Sequence, residues 1–353
     1  MFIYILLACI NQMKGERTIS GIFHLIRGKR SAQTLQDARV YGIDRFFGIC
    51  PNLSKKELET TIQAVVNDKL VTVENEQFAS LTKKGIDYLV NYQGPRPDYF
   101  SGMTEQANVQ VFEDRLRLLI QTVTNMSVYN QSFLPIIEKP LIQQWVKQQY
   151  TSLKDDIEGA EAQLYKELAY LLSQLTEVEA ELFTSRLTGG MIIGETREQM
   201  AREHKISEQE VDVLLAHVSY YLYDQCKTGR SEYPAMGKCL EGLSSSSLIT
   251  QSAKRTYQLL GKGLTLENIA AIRKLKISTI QDHVIEAALV VSNFSIRPFI
   301  NEEDEQAILT AASRLQTRRL KRIYESFQGQ FSYFELRLVL SKVQKEPVSH
   351  AQF

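Results

Sequence analysis

Residues 263–287 of the 353-residue chain read GLTLENIAAIRKLKISTIQDHVIEA. The spacing Ala270, Leu275, Thr279 and Ile280 is that of two short helices packed crosswise. A small Ala lets the two helices approach closely, and the branched residues fill the elbow. The second helix of such a pair can enter a DNA major groove and would present Ile277, Ser278, Gln281 and Asp282. Gln281 and Ser278 can read base edges, whereas Asp282 repels phosphate. Lys274 and Lys276 add cations at the turn. The chemistry implied is recognition of nucleic acid. The same spacing also builds plain helical core, and His283 is expected to pack rather than to catalyse.

A second group follows in RLQTRRLKRIYESFQGQFSYFELRLVL, with Arg314, Arg318, Arg319, Lys321 and Arg322 expected on one or two helical turns. Tyr324, Phe327, Phe331, Tyr333 and Phe334 come next. Basic residues beside aromatics can hold a phosphate backbone and stack bases. The alternative is a solvated basic face over an aromatic core, and the aromatics favour the core.

The chain carries 41 basic and 41 acidic residues, so any electrostatic footprint must be local. Residues 252–300 hold seven basic and three acidic side chains, and residues 313–345 hold eight and two. Residues 176–223 are the opposite, with four basic and nine acidic. That acidic stretch contains a second helix-turn-helix spacing, with Ala201, Ile206, Ser207, Val211 and Leu214 in the matching places. Ser207 and Glu210 read as a capping box. Glu208, Glu210 and Asp212 would repel phosphate, so this copy is expected to be structural or to dock protein.

Catalytic patterns are missing. The sequence has no G-x-x-x-x-G-K-[ST], H-E-x-x-H, G-x-S-x-G or G-x-G-x-x-G. Gly189, Gly190 and Gly194 lie in a loop without a phosphate-binding Lys. Cys9, Cys50, Cys226 and Cys239 show neither C-x-x-C nor zinc spacing and are expected to be buried, reduced thiols. No catalytic residue, metal site or cofactor is expected. FIYILLACI, residues 2–10, is too short to span a bilayer and reads as a core helix. No membrane association is expected, and a cytoplasmic location is.

These residues need elements to position them. Near the amino terminus, TISGIFHLIRG and LSKKELETTIQAVVNDK have helical periodicity, and Ser54 with Glu57 marks a helix start. LVTVENEQFASLT reads as a β-hairpin with the polar tip Glu74-Asn75-Glu76-Gln77. Helices followed by a hairpin describe a winged helix. Residues 14–90 are mildly basic, twelve against nine, with Arg17, Arg27, Lys29 and Arg30 early. Pro, Gly and polar residues mark 94–109 as a linker or an irregular loop, and SSSS at 244–247 marks a second boundary. The fold expected is mostly α. A winged-helix domain (1–93) is followed by a central helical region with a sigma-like helix-turn-helix (110–240) and a carboxyl-terminal helix-turn-helix domain (248–345). The tail EPVSHAQF is expected to fray.

ERTISGIFHLIRGKRSAQTLQDARVYGIDRFFG resembles the winged helix that follows the motor in RecQ-type helicases, through Gly21-Ile22, Leu25, Arg27-Gly28 and Tyr41-Gly42-Ile43. KGLTLENIAAIRKLKISTIQDHVIEA resembles the helicase-associated helix-turn-helix, through Ile269, Ala270, Arg273, Leu275, Ser278, Thr279, Ile280 and His283. Lys276 stands where a Ser usually caps the recognition helix. The arrangement as a whole resembles the YpbB-like helicase-associated proteins, whose genes neighbour those of RecQ-type helicases. The resemblance implies a non-enzymatic accessory without a motor of its own. Such a protein would bind forked or single-stranded DNA, partner a RecQ-type helicase in DNA repair and recombination, and associate with the nucleoid. The rival reading is a helix-turn-helix transcriptional regulator on duplex sites. A scaffold without nucleic-acid affinity is a third.

Overall fold

The computed structural model describes residues 1–243, 249–291, 293–315, 317 and 319–342. They fold into two compact units. One is built from residues 1–2, 93–101 and 105–243, the other from residues 3–92, 102–104 and 249–342.

The second unit begins with the apolar run, which forms α1 (Phe2–Met13) and buries Ile5, Leu6, Leu7, Cys9, Ile10 and Met13. α2 (Ile19–Ile26) and α3 (Ala32–Val40) follow, the latter capped by Ser31, whose hydroxyl accepts from the Thr34 N–H. α4 (Lys55–Asn67) starts at the expected reciprocal box between Ser54 and Glu57. β1 (Val71–Glu74) and β2 (Phe78–Leu81) pair antiparallel, with Val71 opposite Leu81. Asn75 and Glu76 make the turn at φ 50° and 58°, a twist that suits right-handed strands. A single bridge joins Phe78 to Thr18 ahead of α2, so the hairpin closes against the helices as a wing does. α5 (Lys83–Val90) ends this segment.

The other unit holds α6 (Gly102–Ser127), α7 (Pro140–Leu153), α8 (Ile157–Leu172), α9 (Glu177–Ser185), α10 (Arg197–Glu203) and α11 (Glu208–Thr228). Pro140 sits at the first helical position, where its missing N–H costs nothing. The linker expected at 94–109 is corrected here. Helix α6 begins at Gly102, because from Glu105 onward the chain has a helical face to bury, including Asn108, Val109 and Phe112.

The chain returns to the second unit with α12 (Gln251–Leu260), α13 (Leu266–Arg273), α14 (Ile277–Val290), α15 (Glu302–Arg314), α16 (Leu320–Ser326) and α17 (Tyr333–Lys342). α14 packs against α12, α13, α3 and α17. The fold is mostly helical, with one two-stranded sheet among the described residues and a carboxyl-terminal helix-turn-helix. The boundary read at 244–247 and the tail from 346 fall outside the described residues.

All four cysteines are buried. Burial pushes the Cys9 and Cys226 thiols up to about 12, and moves Cys239 the same way, so they pack as small apolar groups. Among the described residues, no helix is long and apolar enough to cross a membrane.

Candidate nucleic-acid interface

The carboxyl-terminal helix-turn-helix is assembled by polar contacts around a small apolar centre. Ala253, Ile269, Ile280 and Val284 are fully buried in it. Thr250 caps α12 by accepting from the Ala253 N–H. From the far end of the motif, the Glu286 carboxylate on α14 accepts from the Thr250 N–H and hydroxyl. Burial raises the Glu286 pKa, against those hydrogen bonds and the nearby Arg30 charge.

Arg273, the last residue of α13, locks the three helices together. Its Nη1 donates to the Ser252 carbonyl at 2.7 Å and to the Thr256 hydroxyl, and its Nη2 to Ser252 Oγ at 2.8 Å. His283 Nδ1 lies 3.0 Å from Thr256 Oγ1 and 3.2 Å from Arg273 Nη1. A ring nitrogen facing two donors acts as acceptor, so the imidazole is neutral. Its pKa is lowered by burial first and by the Arg273 charge second. His283 therefore packs, in keeping with the sequence reading.

The turn shows something the sequence hides. Lys274 adopts the left-handed conformation, φ 53° and ψ 44°, where glycine is the usual choice. Lys276 occupies the N-cap of α14 without a side-chain cap. Together these weaken the turn by about 1–2 kcal/mol relative to Gly and Ser at the two places. What the turn gains is two exposed ammonium groups beside the first turn of α14.

Lys274, Lys276, Ile277 and Ser278 are exposed, and Gln281 is half-exposed. Asp282 forms an ion pair with Arg337 of α17 at 2.7 Å. Arg337 also donates through Nε to Gln36 of α3 at 3.0 Å. The carboxylate expected to repel phosphate is thus paired with a cation. From Val284 to Leu289 the helix is buried, because α3 and α17 cover the face that a free recognition helix would lay along a groove. Only the start of α14 projects, and that is the end from which recognition helices contact bases.

The second basic group is divided. Arg314 ends α15 and Arg319 caps α16, so the stretch expected on one or two helical turns is corrected to two helices with a break. Between them, buried Thr317 accepts from the Arg319 N–H and its hydroxyl bonds Glu16, and Arg319 itself is extended. Arg319 is half-buried. Its Nη2 donates to the Gly15 carbonyl at 2.6 Å, and its guanidinium lies 6.0 Å from the Phe78 ring centre. Lys321 is exposed, 3.9 Å from Glu325, and Arg322 is exposed. Arg318 falls outside the described residues. Of the aromatics, Phe331 is buried with Phe327 edge-on at 4.8 Å, and Tyr324 stacks on exposed Tyr333 at 4.5 Å.

The central helix-turn-helix, α10 and α11, repeats the same geometry. Lys205 is left-handed at φ 54°. Thr196 and Gln199 form a reciprocal box. The box read at Ser207 and Glu210 is corrected to a one-way cap. Ser207 accepts from the Glu210 N–H at 3.1 Å, but the Glu210 carboxylate is taken by the Phe2 N–H at 2.8 Å. Arg197 pairs with Glu208 and Asp212 at 2.9 and 3.1 Å. Gln209 and Val213 are buried.

Arg337 and Arg273 are the residues that sequence reasoning missed in these roles. Nothing in the spacing points from Arg337 to Asp282, which lies on another helix 55 residues away. Among the described residues, no group of three His, Cys, Asp or Glu side chains could hold a metal ion.

The geometry of α12 to α14 is that of a helix-turn-helix. Residues 252–340 match the family described as "Helix-turn-helix domain", which suggests DNA binding. Over 347 residues, 97% of this chain and 97% of the relative, the sequence is 29% identical to Protein YpbB of Bacillus subtilis (strain 168). No solved structure matches the chain. The chain is thus similar to Protein YpbB along nearly its whole length and carries a helix-turn-helix segment near its carboxyl terminus.

Proposed function

We propose that this protein is a non-enzymatic DNA-binding accessory that acts with a RecQ-type DNA helicase in DNA repair and recombination. The observation that carries the reading is the exposed start of α14. Lys274, Lys276, Ser278 and Gln281 are offered there, and the adjacent Asp282 is paired with Arg337. Lys321 and Arg322 supply further backbone contacts, together with Arg318, and Arg319 is the member of that group turned toward the protein. A helix that inserts only its first turn gains most of its affinity from phosphates and little from base edges. That favours weak sequence preference, and the preference for forked or single-stranded DNA rests on the resemblance of both chain ends to helicase accessory segments. The working segments are 1–93, 110–240 and 248–345, and the setting is the cytoplasm at the nucleoid.

Partnership with a RecQ-type helicase is supported by the resemblance of both chain ends to helicase accessory segments. Sedimentation of the purified protein with that helicase checks it. A complex at micromolar concentrations is expected, and two independent boundaries would remove the partner. The regulator reading draws on Ser278 and Gln281, which stand where bases are read. It requires tight binding to particular duplex sites by a symmetric dimer.

A further inference from the structure

The glycine-rich loop between α9 and α10 has no part in the interface above. Gly189 and Ile192 exchange both backbone hydrogen bonds, at 3.0 and 2.8 Å, which closes a tight turn. A Cβ on Gly189 would meet Thr124 Oγ1 at 2.1 Å, and one on Gly194 would meet the Arg186 carbonyl at 2.3 Å, so the turn is seated closely on its surroundings. Its tip is apolar and in solvent. Met191, Ile192 and Ile193 are 91%, 72% and 87% exposed. Met191 holds this position at φ 117°, a left-handed value that favours glycine.

Beside the tip is an open cavity of about 270 Å³, lined mainly by Ile120, Val123, Leu164, Tyr165, Leu168 and Ile192. Tyr165 is 74% exposed. A contiguous apolar surface joined to a strained backbone marks an interaction site. The one charged residue among those that line it is acidic. Glu161 lines the cavity, and exposed Glu158 stands one turn earlier on α8. Exposed Glu177 and Glu181 precede the lining residue Thr184 on α9. The cations nearest in sequence are exposed Lys166 and half-buried Arg186, and Arg186 is engaged with Glu113 at 3.5 Å.

We propose that this tip and cavity receive the apolar side chains of a cationic amphipathic helix from a protein partner. The acidic rim selects the charge of the helix, and the cavity takes its anchor residue. The inference does not depend on DNA binding by α14 or on which partner supplies the helix.

The test uses the full chain and two fluorescent model peptides with one apolar pattern, a Leu/Lys helix and a Leu/Glu helix, followed by anisotropy. The Leu/Lys peptide should bind at least about tenfold more tightly, and more weakly as salt rises. Met191→Gly combined with Ile193→Ser should lose that binding while the thermal midpoint holds or rises, since glycine relieves the backbone. Glu161→Lys with Glu181→Lys should reverse the peptide preference. DNA affinity should be unchanged in both variants. Equal binding of the two peptides, or no binding, overturns the proposal. So does a collapsed midpoint in the Met191 variant, which would make the tip structural. Self-association of the wild type that the variant abolishes would assign the surface to a second copy and overturn it equally.

Discussion

The two helix-turn-helix units share a backbone and differ in what they show to solvent. Thr196, Lys205 and Val211 in one stand where Thr265, Lys274 and Ile280 stand in the other. Each first helix opens on a threonine cap, each turn contains a left-handed lysine, and each elbow is filled by a residue with no exposure. Even the closure of the unit is repeated. In the carboxyl-terminal copy Glu286 reaches Thr250 directly. In the central copy His217 bonds Glu179 at 2.6 Å, and Glu179 bonds Thr176. The first turns diverge. Glu208 and Asp212 hold Arg197 between them in the central unit, and Gln209 is buried. In the carboxyl-terminal unit Ile277 and Ser278 are open beside two lysines, and the acid is paired away. On the proposed function, the same fold serves as a DNA contact in one unit and as a structural piece in the other, and the side chains of one helical turn make the difference.

The turn lysines allow the comparison to be broken one unit at a time. Lys274→Gly and Lys205→Gly should each relieve a left-handed backbone and stabilise the protein by up to about 1 kcal/mol, seen in thermal or urea unfolding. Only Lys274→Gly should weaken DNA binding. Equal losses of DNA affinity in both variants would erase the functional distinction between the units.

The spacing of Ala270, Leu275 and Ile280 makes the carboxyl-terminal motif legible in the sequence, because crosswise helices need a small residue and branched fillers at fixed intervals. Ser54 with Glu57 and the polar ENEQ tip are legible for the same local reason. The left-handed lysines are not, since glycine is the cue for that conformation and it is absent at both turns. Arg337 with Asp282 and Glu210 with Phe2 are tertiary contacts over long separations, which local pattern does not encode. The end of α15 at Arg314 and the start of α16 at Leu320 are not legible either, because the only cue between them is Thr317, whose bond to Glu16 is a contact over a long separation. The open tip at 191–193 looks in sequence like any short apolar run.

A smaller effect separates the units by pH. The folded His283 has a pKa below its ordinary 6.5 through burial and the Arg273 charge, with Asp282 opposing. Above 6.5 the ring is neutral both folded and unfolded, and its contribution to stability is complete. As pH falls from there toward the lowered folded value, the unfolded chain takes up the proton first and stability declines. His283→Gln should flatten the difference in thermal midpoint between pH 7.5 and 5.5. An identical pH dependence in variant and wild type would remove His283 from the lock.

The central claim is that the exposed lysines at the start of α14 contact phosphates and that their counterpart at the start of α11 does not. The direct measurement is the salt dependence of affinity for forked DNA, by anisotropy, in Lys274→Ala/Lys276→Ala and in Lys205→Ala. The account predicts that the first variant reduces the slope of log affinity against log salt by about 2, and that the second leaves it unchanged. An unchanged slope in the first variant, or an equal reduction per lysine in the second, would contradict it.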